Sequence, residues 1–122
     1  MKDNDVTKVL IVDDEKDACY LLENILKGKN IKSTSAHSLS EATKVLTHLK
    51  PAIVFLDNHL EDGLGIDFIP EVKSFSPGTK VVIITAQDSS AWRKEAINKG
   101  ADSFIGKPFT KNKIIETINE FL

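Results

Sequence analysis

The chain is short of cysteine, of long apolar runs and of surplus charge, and each shortage closes off a class of explanation. One cysteine, Cys19, in 122 residues permits no internal disulfide and no cysteine-ligated zinc ribbon. Lysine and arginine number 16 against 18 aspartates and glutamates, a formal net charge of −2. Direct binding to a nucleic-acid backbone needs a basic face that this balance does not supply. No apolar run approaches the roughly 18 residues of a membrane span. The opening MKDNDVTK lacks the apolar stretch of a secretory signal. No repeat or low-complexity segment is present. What remains is ordinary in make-up, 41% apolar and 28% charged, as in a globular protein. The length predicts one domain with a core that needs no staples. Residues 1–7 read as a polar, frayed tail and residues 8–122 as the domain. The whole favours a cytoplasmic protein with no membrane and no nucleic-acid partner.

Short apolar runs alternate with helical patterns five times. Val9-Leu10-Ile11-Val12 is the first strand. Ala18, Leu21, Leu22, Ile25 and Leu26 then recur at helical spacing as one inward stripe, and Gly28 is a plausible stop. Ile31 to Ala36 is a weak, polar strand. Ser38 and Glu41 fit a capping box for a helix that runs to Lys50, where Pro51 prevents continuation. Ala52 to Leu56 is the third strand, followed by a loop with Gly63 and Gly65. Pro70 would be costly in a helix interior, so the next helix is expected to start near Asp67, with Pro70 in its first turn. Pro77-Gly78 marks a turn. Val81 to Ile84 is the fourth strand, and a helix follows from about Ser89 to Lys99, ending at Gly100. Ser103 to Gly106 is a short fifth strand. Thr110 caps a last helix whose Ile114, Ile115, Ile118, Phe121 and Leu122 face inward.

Such alternation predicts an α/β protein with a parallel sheet covered on both faces. Strands one, three and four are continuous apolar runs suited to the centre; strands two and five are poor and suited to the edges. The doubly wound order 2-1-3-4-5 satisfies this, and it places the ligand crevice beyond the carboxyl ends of strands one and three. At those ends the chain delivers Asp13-Asp14-Glu15, Asp57, Thr85-Ala86 and Lys107-Pro108. Carboxylates in close quarters raise one another's pKa. A hard divalent cation such as Mg²⁺ removes that penalty. Neutralising Asp13 is then expected to stabilise the metal-free protein. Lys107 adds a point charge for Asp57 or for a phosphoryl oxygen, and Thr85 a hydroxyl donor. A carboxylate can itself attack phosphorus. The set suits Mg²⁺-dependent phosphoryl transfer onto Asp57.

Val12-Asp13-Asp14-Glu15, Leu56-Asp57-Asn58-His59-Leu60, Ile84-Thr85-Ala86 and Lys107-Pro108-Phe109 together resemble the receiver domain of two-component response regulators. The likeness runs from about Lys8 to Leu122. It implies the flavodoxin-like (βα)5 fold and a non-turnover protein that catalyses only its own phosphorylation and dephosphorylation. By the same likeness Asp57 matches the phosphoacceptor, Asp14 and Asp57 direct Mg²⁺ ligands, and Asp13 a ligand through water. The backbone carbonyl of His59 matches the third protein ligand. Thr85 and Lys107 match the catalytic hydroxyl and lysine, and Thr85 with Phe104 the switch pair. Asn58 and Ala86 match the phosphoryl-binding backbone, and Pro108 a proline after a cis peptide bond. The implied partners are a sensor histidine kinase or phosphotransfer protein, and a downstream protein or fused effector domain. A homodimer through the fourth helix, fifth strand and fifth helix is also implied.

The sequence departs from the family pattern at Glu61, where proline is frequent, and Asp62 makes that loop more acidic. His59 and Gln87 occupy positions that tune phosphoryl lifetime in the family. His37 and His48 read as surface residues and Cys19 as packing. Trp92 reads either as core edge or as an exposed interface aromatic. Two other functions fit parts of the pattern: a phosphorylation-independent pseudo-receiver, and a Mg²⁺-dependent phosphatase, which would ordinarily carry a second acid where His59 stands.

Overall fold

The computed structural model describes residues 7–122. Five parallel strands form the main sheet: β1 (Lys8–Val12), β2 (Lys32–Ala36), β3 (Ile53–Asp57), β6 (Lys80–Thr85) and β7 (Ser103–Gly106). Their order is β2-β1-β3-β6-β7, the 2-1-3-4-5 arrangement once a small hairpin is set aside. That hairpin, β4 (His59–Leu60) with β5 (Gly63–Leu64), was not expected; it lies in the loop after β3. Five helices cover the sheet: α1 (Lys16–Gly28), α2 (Leu39–Leu46), α3 (Gly65–Phe75), α4 (Ser90–Asn98) and α5 (Lys111–Phe121).

The strands sort by burial as their sequences require. Strand β3 is buried throughout, and β1 and β6 are buried but for their first residues. Edge strand β2, with sequence KSTSA, buries only Ala36. Alternation divides the core into two layers. Leu10, Val12, Val54, Leu56, Ile83 and Phe104 face α2, α3 and α4. Val9, Ile11, Phe55, Val82, Ile84 and Ile105 face α1 and α5. Thr7 already belongs to this frame, since its carbonyl accepts from the Lys32 N–H at 3.1 Å. Residues 1–6 lie outside the described residues.

Several boundaries differ from the sequence reading. Helix α1 passes through Gly28; the left-handed residue beyond it is Asn30, φ 60°. Helix α2 ends at Leu46 rather than Lys50, its last turn loosening through bonds from His48 and Leu49 to the Val45 carbonyl. Ser38 accepts from the Glu41 N–H, but the Glu41 carboxylate reaches the His37 N–H, one residue before the cap. Asp62 adds two more bonds, to the N–H groups of Leu39 and Ser40, each 3.0 Å. The acidic hairpin turn is therefore a second cap on α2.

Helix α3 begins at Gly65, two residues before the expected Asp67, and carries Pro70 in its second turn. The reason lies in Asn58. Its backbone carbonyl accepts from Gly65 N–H at 2.8 Å and its side-chain oxygen from Ile66 N–H at 3.0 Å. These bonds satisfy the first turn, so no side-chain cap at Asp67 is needed. Leu21 and Leu122, expected inside, are 50% and 55% exposed. Leu21 lies at the edge of the α1 stripe, and Leu122 follows the last helical residue.

Gly65 is demanded by close approach: a Cβ there would lie 2.3 Å from the Asp57 carbonyl oxygen. At Gly78 a Cβ meets nothing within 4 Å. Gly65→Ala is expected to lose about 1–3 kcal/mol of stability by overpacking, whereas Gly78→Ala changes it by less than about 0.5 kcal/mol. Urea denaturation of both variants checks the contrast.

Candidate functional site

The carboxyl ends of β1, β3, β6 and β7 meet at one edge of the sheet, and the predicted polar residues stand there. One oxygen from each of Asp13, Asp14 and Asp57 can be chosen so that all three lie within 4.8 Å of one another. Asp13 and Asp57 are buried and Asp14 is exposed. Lys107 reaches in from the end of β7, its Nζ 2.8 Å from Asp13 Oδ2, 2.8 Å from Glu15 Oε1 and 3.7 Å from Asp57 Oδ2. The Lys107–Pro108 peptide is cis. Glu15, given no role by the sequence reading, is thus a direct partner of the lysine.

The charge balance is uneven. Asp13 is well supplied: beyond Lys107, its Oδ1 accepts from the Glu15 N–H at 2.9 Å. Among the described residues Asp57 has a long approach from the His59 N–H, 3.4 Å, beside Lys107 at 3.7 Å. Burial pushes the Asp57 carboxyl up to about 6, Lys107 opposes this, and Asp13 and Asp14 add to it. For Lys107, burial alone would lower the ammonium's pKa. The hydrogen bonds it donates to Asp13 and Glu15, with the charges of Asp13 and Asp57, outweigh burial and hold it above its ordinary value. Asp13 both repels Asp57 and pairs with Lys107, so neutralising it removes a repulsion and an ion pair together. Asp13 is the carboxylate with close partners, and Asp57 is the one ionised at a cost.

A hard cation fits this group. The donor set is all oxygen, as Mg²⁺ requires, and three carboxylates lie together with Lys107 no nearer to Asp57 than 3.7 Å. Asp14, exposed, leaves room for the waters such an ion retains.

The remaining predicted residues surround the cluster. Thr85 is buried at the end of β6. Its Oγ1 accepts from the Gln87 N–H at 3.2 Å and lies 3.5 Å from His59 Nδ1. The His59 ring meets Trp92 edge-on, centroids 5.2 Å apart. Trp92 is thus half-buried, packed on the core and bounding the site from α4. Asn58 is fully buried; its Nδ2 has no partner among the described residues. Ala86 shares a shallow recess with Glu15, Lys107 and Pro108. Phe104 is buried on β7 with the Arg93 guanidinium 4.8 Å above its ring.

His37, expected at the surface, is half-buried, its Nδ1 3.0 Å from the Asp13 carbonyl oxygen. Buried Cys19 donates to the same oxygen at 3.4 Å. Burial pushes its thiol up to about 11, so it is packing. Both brace the backbone that carries Asp13. His48 is exposed. The sequence placed Glu15 beside Asp13 and Asp14 but gave it no partner, and it set His37 at the surface, because both contacts join residues distant in the chain.

Fold and cluster define a doubly wound α/β protein with an acidic centre and one lysine at its switch point. The sequence matches the response regulator receiver domain family over residues 9–119. The chemotaxis protein CheY of Thermotoga maritima is 33% identical over 114 residues, 93% of this chain and 95% of that protein. The KDP operon transcriptional regulatory protein KdpE of Escherichia coli is 32% identical over 104 residues, 85% of this chain and 46% of that protein. The beryllofluoride-activated NtrC4 receiver domain dimer superposes with a TM-score of 0.88 at 35% identity, covering 93% of each chain. The chain belongs to the response regulator receiver domain family.

The raised Asp57 has a consequence for stability. Its folded-state pKa is about 6 against an ordinary 3.8, so the folded protein holds a proton that the unfolded chain releases between about pH 4 and 6. Stability attributable to Asp57 is present below that window and falls as pH rises through it. With divalent cations chelated, Asp57→Asn is expected to be more stable than the parent at pH 7, by on the order of 2–3 kcal/mol. The difference should close by about pH 4. Denaturant midpoints across pH 4–8 measure it.

Proposed function

We propose that this receiver accepts a phosphoryl group on Asp57 from a phosphohistidine of a sensor histidine kinase or phosphotransfer protein. The carrying observation is the meeting of Asp13, Asp14, Asp57 and Lys107 at one sheet edge. Asp14 and Asp57 would hold Mg²⁺ directly and Asp13 through water, with the His59 backbone carbonyl as the third protein ligand. Bound there, the ion would neutralise charge on the oxygens that become more negative during transfer.

The chain's own residues do the rest. An Asp57 carboxylate oxygen attacks phosphorus in line with the P–N bond. The O–P bond forms as the P–N bond breaks, and the donor imidazole leaves with the electron pair and takes up a proton. Lys107 swings from Asp13 and Glu15 to pair with a phosphoryl oxygen. Thr85 donates its hydroxyl to a second oxygen, and the backbone N–H groups of Asn58 and Ala86 hold the group in place. Water later cleaves the acyl phosphate and restores Asp57. The protein acts on its own side chain and is not a turnover enzyme. Added charge of about −1.5 to −2 biases a two-state surface on α4, β7 and α5, with Thr85 moving toward the phosphoryl group and Phe104 held inward. The phosphoryl group must bind one state better than the other for this to occur.

That surface passes the signal to a downstream protein, a fused effector domain or a second copy of the chain. The segment matching KdpE occupies 46% of that longer regulator, which supports a fused effector as one output. The setting we assign is cytoplasmic. Among the described residues no helix is long and apolar enough to cross a membrane.

Incubation with a radiolabelled small phosphodonor and Mg²⁺ is expected to label the parent and not Asp57→Asn; persistent label in the variant would place the acceptor elsewhere. Millimolar Mg²⁺ is expected to raise the thermal midpoint of the parent, since the cation binds only the folded cluster. It should raise that of Asp57→Asn much less. Calorimetry with and without chelator makes the comparison.

A further inference from the structure

The face of β7 toward α4 carries a construction that the acidic site does not need. In the parallel pairing of β6 with β7, Ile83 lies opposite Phe104 and Thr85 opposite Gly106. The side chains of Thr85 and Phe104 therefore share one face, as diagonal neighbours. Gly106 leaves a gap between them, and Asp88 fills it. A Cβ on Gly106 would lie 2.4 Å from Asp88 Oδ2. Asp88 in turn holds Arg93 by a two-pronged pair, Nε to Oδ1 at 2.7 Å and Nη2 to Oδ2 at 3.0 Å. The same guanidinium lies 4.8 Å above the centre of the Phe104 ring, within the range of cation–π attraction.

We infer that Asp88 and Arg93 form a clamp that seats Phe104 in its buried position and ties it to the loop that follows Thr85, making Arg93 a positioning residue for phosphorylation. The inference rests on the receiver function proposed above. Asp88 stands three residues after Thr85, in the loop that must move if the hydroxyl is to reach a phosphoryl group. Phe104 cannot leave its seat without losing the guanidinium. A phosphoryl group that draws Thr85 toward Asp57 frees space beside the same ring. Clamp and phosphoryl group thus favour one position of Phe104, and each strengthens the other by reciprocal coupling. Arginine suits this place, because its fork pairs with the Asp88 carboxylate while its charge lies over the Phe104 ring.

The test uses beryllofluoride with Mg²⁺ as the phosphoryl mimic, read by NMR titration of the Thr85 and Phe104 signals. Relative to the parent, Arg93→Ala is expected to bind the mimic roughly two- to fivefold more weakly, the range of an exposed cation–π contact. Gly106→Ala, whose Cβ would meet the Asp88 carboxylate first, should weaken it comparably. Combining it with Arg93→Ala should add little, since both break one unit. Lys94→Ala, on the same helix, should leave binding unchanged. In the mimic-free protein the Phe104 ring signals should shift in Arg93→Ala and in Gly106→Ala. Unchanged Phe104 signals, or equal or tighter mimic binding in Arg93→Ala, would overturn the clamp. Failure of the parent itself to bind the mimic would instead overturn the receiver function, and the clamp's role in it.

Discussion

The Lys107 ammonium stands against three carboxylates, 2.8 Å from Asp13 and Glu15 and 3.7 Å from Asp57. The geometry of the site depends on this single cation. At an effective dielectric near 20, opposite charges about 4 Å apart attract by about 4 kcal/mol. Removing an ion from water costs several kcal/mol. The two contributions are of similar size, so pairing and desolvation largely offset each other. One lysine cannot serve three acids equally. It sides with Asp13, and Asp57 keeps its charge at a cost. The group left least compensated is the one proposed to take the phosphoryl group.

The fold makes this imbalance possible by bringing strand ends together. In a parallel sheet every strand points its carboxyl end the same way, so residues just past β1, β3, β6 and β7 meet at one edge. Close backbone approaches hold that edge tightly. Gly65 lies against the Asp57 carbonyl, and Asn58 uses both its oxygens to start α3. On the other side of Asp57, His37 and Cys19 both reach the Asp13 carbonyl. The backbone of Asp57 and that of Asp13 beside it are thus braced from both faces of the sheet. Asp62 links the hairpin after it to α2. Glu61 and Asp62 therefore do not simply add loose negative charge near the site, since one of the two is already engaged as a cap.

Short chains of contacts lead from the site to α4. Thr85 touches His59, and His59 touches Trp92 on α4. Thr85 also begins the loop that carries Asp88, whose partner Arg93 covers Phe104. Both paths end on α4. That helix carries Ile97 exposed and buries Ala96 alone. A helix with so small a buried face is held by few core contacts and is a natural element to shift.

Strand order, a sheet covered on both faces and the acidic edge were legible in the sequence, because burial is recorded locally in residue type. Val54, Phe55 and Ile83 can lie only in a central strand, and Lys32-Ser33-Thr34-Ser35 only at an edge. A carboxylate or lysine placed just after such a run must stand at the sheet's end. What stayed hidden were pairings between residues distant in the chain and local in space. The start of α3 was set by Asn58, the partner of Lys107 by Glu15, the burial of His37 by Asp13, and the cover of Phe104 by Arg93. Spacing along the chain encodes which face a residue occupies. It does not encode which opposite group will be within 3 Å once the helices have packed, and only the tertiary structure decides that.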